Sequence, residues 1–331
     1  MVRIKTIFKR ADLDESQHEI KVLIKNTKET TLLSTGNDND LIFPRSSIKI
    51  FQAIPFVNTK AFKIFGLNLK MIALSCASHR GEQYHLKELE KWIKKIKINN
   101  KTLQCGAHYP LNTKSMEKLL KSNKKPNQLH NNCAGKHLAM LSSCLIKKYN
   151  IKNYLEFNHP HQKNIRKIFE KFSGKKINAK NYSIDGCSAP QYSFKIENIS
   201  KLLINLIKSY KNKFDNNSET KILIDSVLKY PDYIGGTDSL DSRLMNISKS
   251  IFCKGGAEGV FLFIDLKKEI CGVIKVADGN ERAIPSLIYY LFKKYKIMNQ
   301  KQLKALNELY KFKLLNHAGI EIGSIETKAQ Q

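Results

Sequence analysis

Four side chains of this 331-residue sequence could carry out nucleophilic chemistry together: Ser46, Lys49, Ser78 and Lys254. In PRSSIKIFQAIPF, residues 44–56, an ammonium group interrupts an apolar run three positions after a hydroxyl. A helix starting near Pro44 would put positions 46 and 49 on one face, with Cβ atoms about 5–6 Å apart. A serine hydroxyl is a weak nucleophile until a neighbour takes its proton, and a partly desolvated lysine can be neutral enough to do so. Ile48, Ile50, Phe51, Ile54 and Phe56 supply the apolar surroundings. Alone, the motif is weak, because Ser-x-x-Lys arises easily by chance in a chain with 50 lysines.

Two further stretches strengthen it. In ALSCASHRGE, Ser78 follows an apolar run and enters a polar turn with His79, Arg80 and Gly81; much later, Lys254-Gly255-Gly256 precedes the apolar segment GVFLFI. Ser-x-x-Lys, a serine-bearing turn and a late Lys-x-Gly on a strand form the layout of the penicillin-recognising enzymes, although here the turn lacks its Asn and the last triplet its Thr. The residues point to a hydrolase of the Ser/Lys type.

These groups need a scaffold. Residues 19–34 read as two short strands around a polar turn, with Val22, Ile24, Leu32 and Leu33 facing the core. Residues 259–276 read as two apolar strands around Lys267-Lys268-Glu269, followed by a helix in DGNERAIPSLIYYLFKKY. Segments 86–97, 115–122, 136–149 and 162–172 carry apolar residues at helical spacing, with lysine-rich outer faces. The expected fold is α+β: an antiparallel sheet from the N- and C-terminal segments with a mainly helical middle region. No repeat or linker divides the chain, so a single domain over 1–331 is expected. Its core spans about residues 10–296, and a basic extension, 297–331, ends in the polar, disordered ETKAQQ.

Composition narrows the function. A formal charge of +28 suggests nucleic acid, but only seven arginines accompany the 50 lysines, and arginine is the residue favoured for bidentate phosphate contacts. A Lys/Ile/Asn excess matches genome-wide base composition better, so no specific nucleic-acid partner is expected and an RNA-binding role is the lesser alternative. No run approaches the roughly 20 apolar residues of a membrane span, and the N-terminus has no export-signal core. A cytoplasmic location follows. Seven scattered cysteines suit a reducing compartment. By themselves Cys133 and Cys187 read as buried thiols, as do Cys76, Cys105, Cys144, Cys253 and Cys271. His159-Pro160-His161 reads as a helix N-terminal turn and residues 235–238 as a structural turn.

The blocks FPRSSIKIFQAIP, ALSCASHRGEQYH, LQCGAHYP, LHNNCAGKHLAML, DGCSAPQYSF and CKGGAEGVF resemble, in order and spacing, the asparaginase II family, the class 3 L-asparaginases. The match runs from about residue 20 to 290. Arg80 stands where the family has a small residue, and the segment after about 296 is extra to the pattern. The resemblance implies a fold similar to serine β-lactamases and glutaminases, a homodimer, and hydrolysis of L-asparagine to L-aspartate and ammonia. It implies that Ser46 and Lys49 form a first Ser-Lys tandem, and that Ser78 is the second serine with Lys254 as its partner. It also implies a zinc ion on Cys133, Lys136 and Cys187 that orients substrate rather than generating hydroxide, and substrate contacts from Asp185, His137 and Arg45. In the expected mechanism Ser46 attacks the side-chain amide, Lys49 serves as base, and Ser78 and Lys254 relay protons. A glutaminase, or another β-lactamase-like Ser/Lys amidohydrolase, is the nearest alternative.

Overall fold

The computed structural model describes residues 2–330. In chain order its strands are β1 (Arg3–Arg10), β2 (Leu13–Asn26), β3 (Thr31–Ser34), β4 (Leu41–Ile42), β5 (Tyr182–Ile184), β6 (Pro190–Tyr192), β7 (Phe194–Lys195), β8 (Ile251–Gly256), β9 (Val260–Asp265), β10 (Ile270–Val276), β11 (Lys313–Leu315) and β12 (Glu321–Gln330). The chain divides into two compact units, neither continuous in sequence. The first comprises Met1–Ser47, Phe194–Ile207 and Leu244–Gln331; the second comprises Ile48–Ser193 and Lys208–Arg243.

The first unit is built on an eight-stranded antiparallel sheet in the order β11-β12-β1-β2-β10-β9-β8, with β3 also paired to β2. β2 is long enough to have two sets of neighbours: Ile20 pairs with Ile4 of β1, while Ile24 lies between Gly272 of β10 and Leu33 of β3. N- and C-terminal segments thus share one sheet, as their patterns predict. Val22, Ile24 and Leu33 are buried, but Leu32, also expected inside, is 37% exposed. Successive strand residues face opposite sides, so Leu32 and Leu33 cannot both enter the core. Gly272 is dictated by packing: a Cβ there would lie 2.1 Å from the Phe263 ring, which in turn meets Phe292 of the helix Ile284–Lys294 edge-on at 4.9 Å.

The C-terminal end differs from expectation. Rather than trailing off as a disordered tail, residues 321–330 form β12 and pair along all of β1, from Arg3↔Gln330 to Arg10↔Gly323. The reason lies in the backbone: without β12, the N–H and C=O groups on that side of β1 would form an open edge. Of the polar ETKAQQ run, only Gln331 lies outside the described residues.

The second unit is helical, and its hub is the helix Lys49–Asn58, buried at every position from Lys49 to Val57. It packs on the helices Ala134–Lys147, Pro160–Ser173 and Asn217–Lys229. Aromatic rings fill the contacts: Phe51 meets Phe172 at 5.4 Å, and Phe56 meets the fully buried Trp92 at 5.5 Å. The Trp92 indole N–H donates to Ser142 Oγ at 3.0 Å, so its one polar atom is satisfied. His159 caps the helix that Pro160 begins, the N-terminal turn that its sequence suggests. Among the described residues no helix is long and apolar enough to cross a membrane.

Candidate active site

In the second unit Lys49 opens the hub helix, and its side chain has no exposed surface. Its Nζ donates to the Ala77 carbonyl at 2.5 Å and to Ser78 Oγ at 2.9 Å. The ammonium-bearing and hydroxyl-bearing side chains brought together here are therefore 29 residues apart in sequence. The approach depends on Gly135. A Cβ at that position would stand 2.1 Å from the Leu74 carbonyl oxygen, so only glycine lets the Ala134–Lys147 helix close on the helix Leu69–Leu74 just before the Ser78 turn begins.

The turn after Ser78 is held at several points. The Ser78 N–H donates to Ile234 O at 2.8 Å and the His79 N–H to Asn132 O at 3.2 Å. Gly81 takes φ +72°, where its absent Cβ would lie 2.9 Å from Pro110 Cβ, and its N–H donates to His79 Nδ1. Glu82 receives both the backbone N–H and the hydroxyl of Thr237, each at 3.1 Å. Gly236, at φ +88°, keeps the passage open between Glu82 and the Arg80 side chain. Residues 235–238, read as a structural turn, thus also tether the serine-bearing loop.

A second cluster gathers the expected metal residues. Lys136 lies on the Ala134–Lys147 helix, and Cys133 immediately precedes it. Cys187 sits in the loop of the β5–β6 hairpin, where Asp185 and Ala189 close the turn through Asp185 N–H to Ala189 O. Both thiols are 3% exposed, and Lys136 is buried with its Nζ 3.0 Å from Cys187 Sγ. A hydrogen bond from Cys133 holds the Cys187 thiol down at about 4 against the opposing effect of burial, with Lys136 assisting. The same bond and burial push Cys133 up to about 12. Burial opposes the charge of Lys136, but Cys187, Cys133 and Asp185 outweigh it and raise its pKa. Both neighbours thus favour the anionic form of Cys187, whose Sγ touches Lys136 Nζ.

Two sulfurs and one nitrogen converging in a buried spot fit a soft divalent cation such as zinc, once Cys133 and Lys136 give up their protons. Among the described residues no group of three or more His, Cys, Asp or Glu side chains is arranged to hold a metal, so any such site depends on the lysine. His137 lies next to it on the helix, wholly buried, with Nδ1 2.6 Å from the Tyr154 hydroxyl. Burial, then the Lys136 charge, lowers its pKa to about 3, so it is a neutral imidazole. Asp185 is half-buried and its Oδ1 accepts from the Gly186 N–H.

The remaining expected site residues belong to the first unit. Arg45, Ser46 and Ser47 form the start of a 3₁₀ turn, Arg45–Ile48, and Arg45 takes φ +53°, a left-handed backbone rarely adopted by a non-glycine residue. The turn is fixed by the Ser47 hydroxyl, which donates to Pro44 O at 2.6 Å. Strand β8 lies directly against it: a Cβ on Gly256 would be 2.5 Å from Pro44 O. Lys254, two residues earlier, points from the same face of that strand. It is 3% exposed and donates to Gly255 O at 3.0 Å. The serine-bearing turn and the lysine-bearing strand of this unit are therefore packed together.

Sequence reasoning did not single out His79, His85 or Tyr154. Each is buried without exposed surface, and the one available signal was a pair of histidines six residues apart flanking residues 80–84. Cys105 was read as a core residue and is buried; burial first, then Cys133 and Cys187 nearby, pushes its thiol up to about 12.

A model of the L-asparaginase II family matches residues 7–327, and the chain belongs to that family. Membership makes it an asparaginase-type amidohydrolase, a hydrolase acting on the amide of a small molecule. The match reaches residue 327, so the segment after 296 is part of the family pattern rather than extra to it. No curated protein matches the chain.

Proposed function

We propose that this protein hydrolyses L-asparagine to L-aspartate and ammonia by covalent catalysis with serine and lysine. The observation that carries the reading is the buried Lys49 Nζ bonded at 2.9 Å to Ser78 Oγ, because a hydroxyl bonded to a buried amine can pass on the proton that an acyl-enzyme reaction must move. Ser46 supplies the attacking oxygen, which forms a C–O bond to the side-chain carbonyl carbon. Its proton passes to Lys49 as free amine and then to the departing nitrogen, which leaves as ammonia. Water hydrolyses the resulting ester by the reverse proton path, releasing aspartate. Ser78 and Lys254 carry protons between these steps, and Arg45, Asp185 and His137 bind the substrate.

Cys133, Lys136 and Cys187 would hold zinc, which supplies a fixed positive charge to orient the α-amino acid end. The three side chains position that charge from two secondary-structure elements, and neutral His137 places no competing cation beside it. The antiparallel sheet and helical unit support a serine β-lactamase-like fold. The seven cysteines, none of them in a disulfide, support a cytoplasmic setting, and we take the working form to be a homodimer.

Ammonia release from L-asparagine by the purified protein tests the reading, alongside Ser46→Ala, Lys49→Ala and Ser78→Ala. Each variant is expected to lose about a hundredfold or more in kcat/KM. Undiminished turnover in Lys49→Ala would remove the mechanism. Faster release from L-glutamine, or opening of a β-lactam, would move the substrate assignment to the neighbouring amidohydrolases.

A further inference from the structure

Beside Ser78 lies a pair of imidazoles to which the reaction assigns no part. His79 and His85 stack with ring centroids 5.2 Å apart and 29° between planes. Neither has exposed surface. Their tautomers follow from their partners. His79 Nδ1 accepts the Gly81 N–H, so its own proton is on Nε2. His85 Nε2 faces the Asp232 carbonyl oxygen at 3.0 Å, which can only accept, so His85 carries its proton there and leaves Nδ1 bare. His79 Nε2 and His85 Nδ1 are both buried with no hydrogen-bond partner among the described residues.

A leucine or phenylalanine would fill the same space without leaving polar atoms unpaired, an arrangement that disfavours folding. What the imidazoles add is a closed circuit of directional contacts. Asp232, held by His85, is two residues from Ile234, whose carbonyl receives the Ser78 N–H. The His79 N–H binds Asn132 O, and the His79 ring fixes Gly81 in its left-handed turn. The serine is thereby pinned from both sides, which matters because its hydroxyl must stay within reach of Lys49.

We propose that the His79–His85 stack positions Ser78 for catalysis: the Nδ1 acceptor of His79, locked by stacking on His85, sets the turn that presents the Ser78 hydroxyl to Lys49 Nζ. The inference rests on the asparaginase reading for its kinetic arm only. Burial keeps both rings neutral, His85 down at about 4 and His79 well below its ordinary value, so the stack adds no cation beside Lys49.

The test compares His79→Leu, which removes the acceptor, with His79→Asn, whose side-chain oxygen replaces Nδ1. In His79→Leu, kcat on L-asparagine should fall about tenfold to a hundredfold with KM within about twofold, the signature of a misplaced group rather than lost binding. Amide exchange, followed by mass spectrometry, should quicken in the peptide covering residues 75–86 while the Lys49–Asn58 helix stays protected. His79→Asn should restore most of both. Equal loss in the two variants, a change in KM alone, or exchange quickening throughout the helical unit would overturn the proposal. If the unmodified protein releases no ammonia from asparagine, the function assigned above fails, while the exchange comparison still decides whether His79 holds the turn.

Discussion

Lys49 illustrates how a single residue separates stability from chemistry. Its amine is buried with a carbonyl and a hydroxyl around it. Removing it leaves the Ala77 carbonyl without that donor, which costs about 1–3 kcal/mol. Lys49→Met should therefore lower the melting temperature by several degrees while reducing ammonia release by about a hundredfold or more. A melting temperature that collapses along with activity would show the lysine to be structural. Cys187 makes the complementary case. Cys187→Ala removes the thiolate that both Cys133 and Lys136 contact, so zinc affinity, measured by competition with a chelator, should drop about tenfold or more. Lys49 was partly legible in the sequence, whereas Cys187 by itself read only as a buried thiol. Ser46-x-x-Lys49 is weak alone and gains its meaning from Ser78 and Lys254 following in the order of the Ser/Lys hydrolases. The Lys49–Ser78 contact was not legible, since local spacing pairs Lys49 with Ser46 and cannot see a turn that arrives from another helix.

At the scale of elements, the close approach at Gly135 is the most exacting contact near the site. A methyl group there meets the Leu74 carbonyl oxygen at 2.1 Å, and backbone cannot swing aside as a side chain can. Gly135→Ala should destabilise the protein by about 1–3 kcal/mol, visible as a lower urea midpoint, and should depress kcat because Leu74 leads into the Ser78 turn. Periodicity found the hairpins around residues 26–31 and 265–270 and the amphipathic helices, because a one-sided apolar stripe has few other uses. It missed β1, whose apolar residues are interrupted by lysine and threonine, and β12, which is mostly polar with only Ile322 and Ile325 as large apolar residues. Such strands are recruited by unpaired backbone groups of a neighbour, and side-chain pattern carries no trace of that demand. The Cys187 hairpin was missed for a related reason: β5 and β6 have three residues each, too few to show alternation.

The molecule as a whole carries several buried neutral histidines, and this fixes how it responds to acid. Burial lowers His85 to about 4 and His137 and His161 to about 3, each below the ordinary value of about 6.5. A lowered folded-state value means that the unfolded chain binds the proton first as pH falls. Stability from these groups is whole above about 6.5 and is lost as pH drops through that value towards 3, by up to about 1.4 kcal/mol per pH unit for each histidine. Urea midpoints should be flat from pH 7.5 to 7 and fall steeply between pH 6 and 4; a flat profile down to pH 4 would contradict the assignment of neutral rings. Deleting residues 321–330 should lower stability and promote association, since β1 would then present an open edge.

The pairing of β1 with β12 also sets a timetable. β1 lies between its near neighbour β2 and a strand, β12, that is synthesised about three hundred residues after it. Nascent chains must therefore wait, with one flank of β1 bare, until about three hundred residues have been added, and chaperone capture of that flank is the expected safeguard during translation.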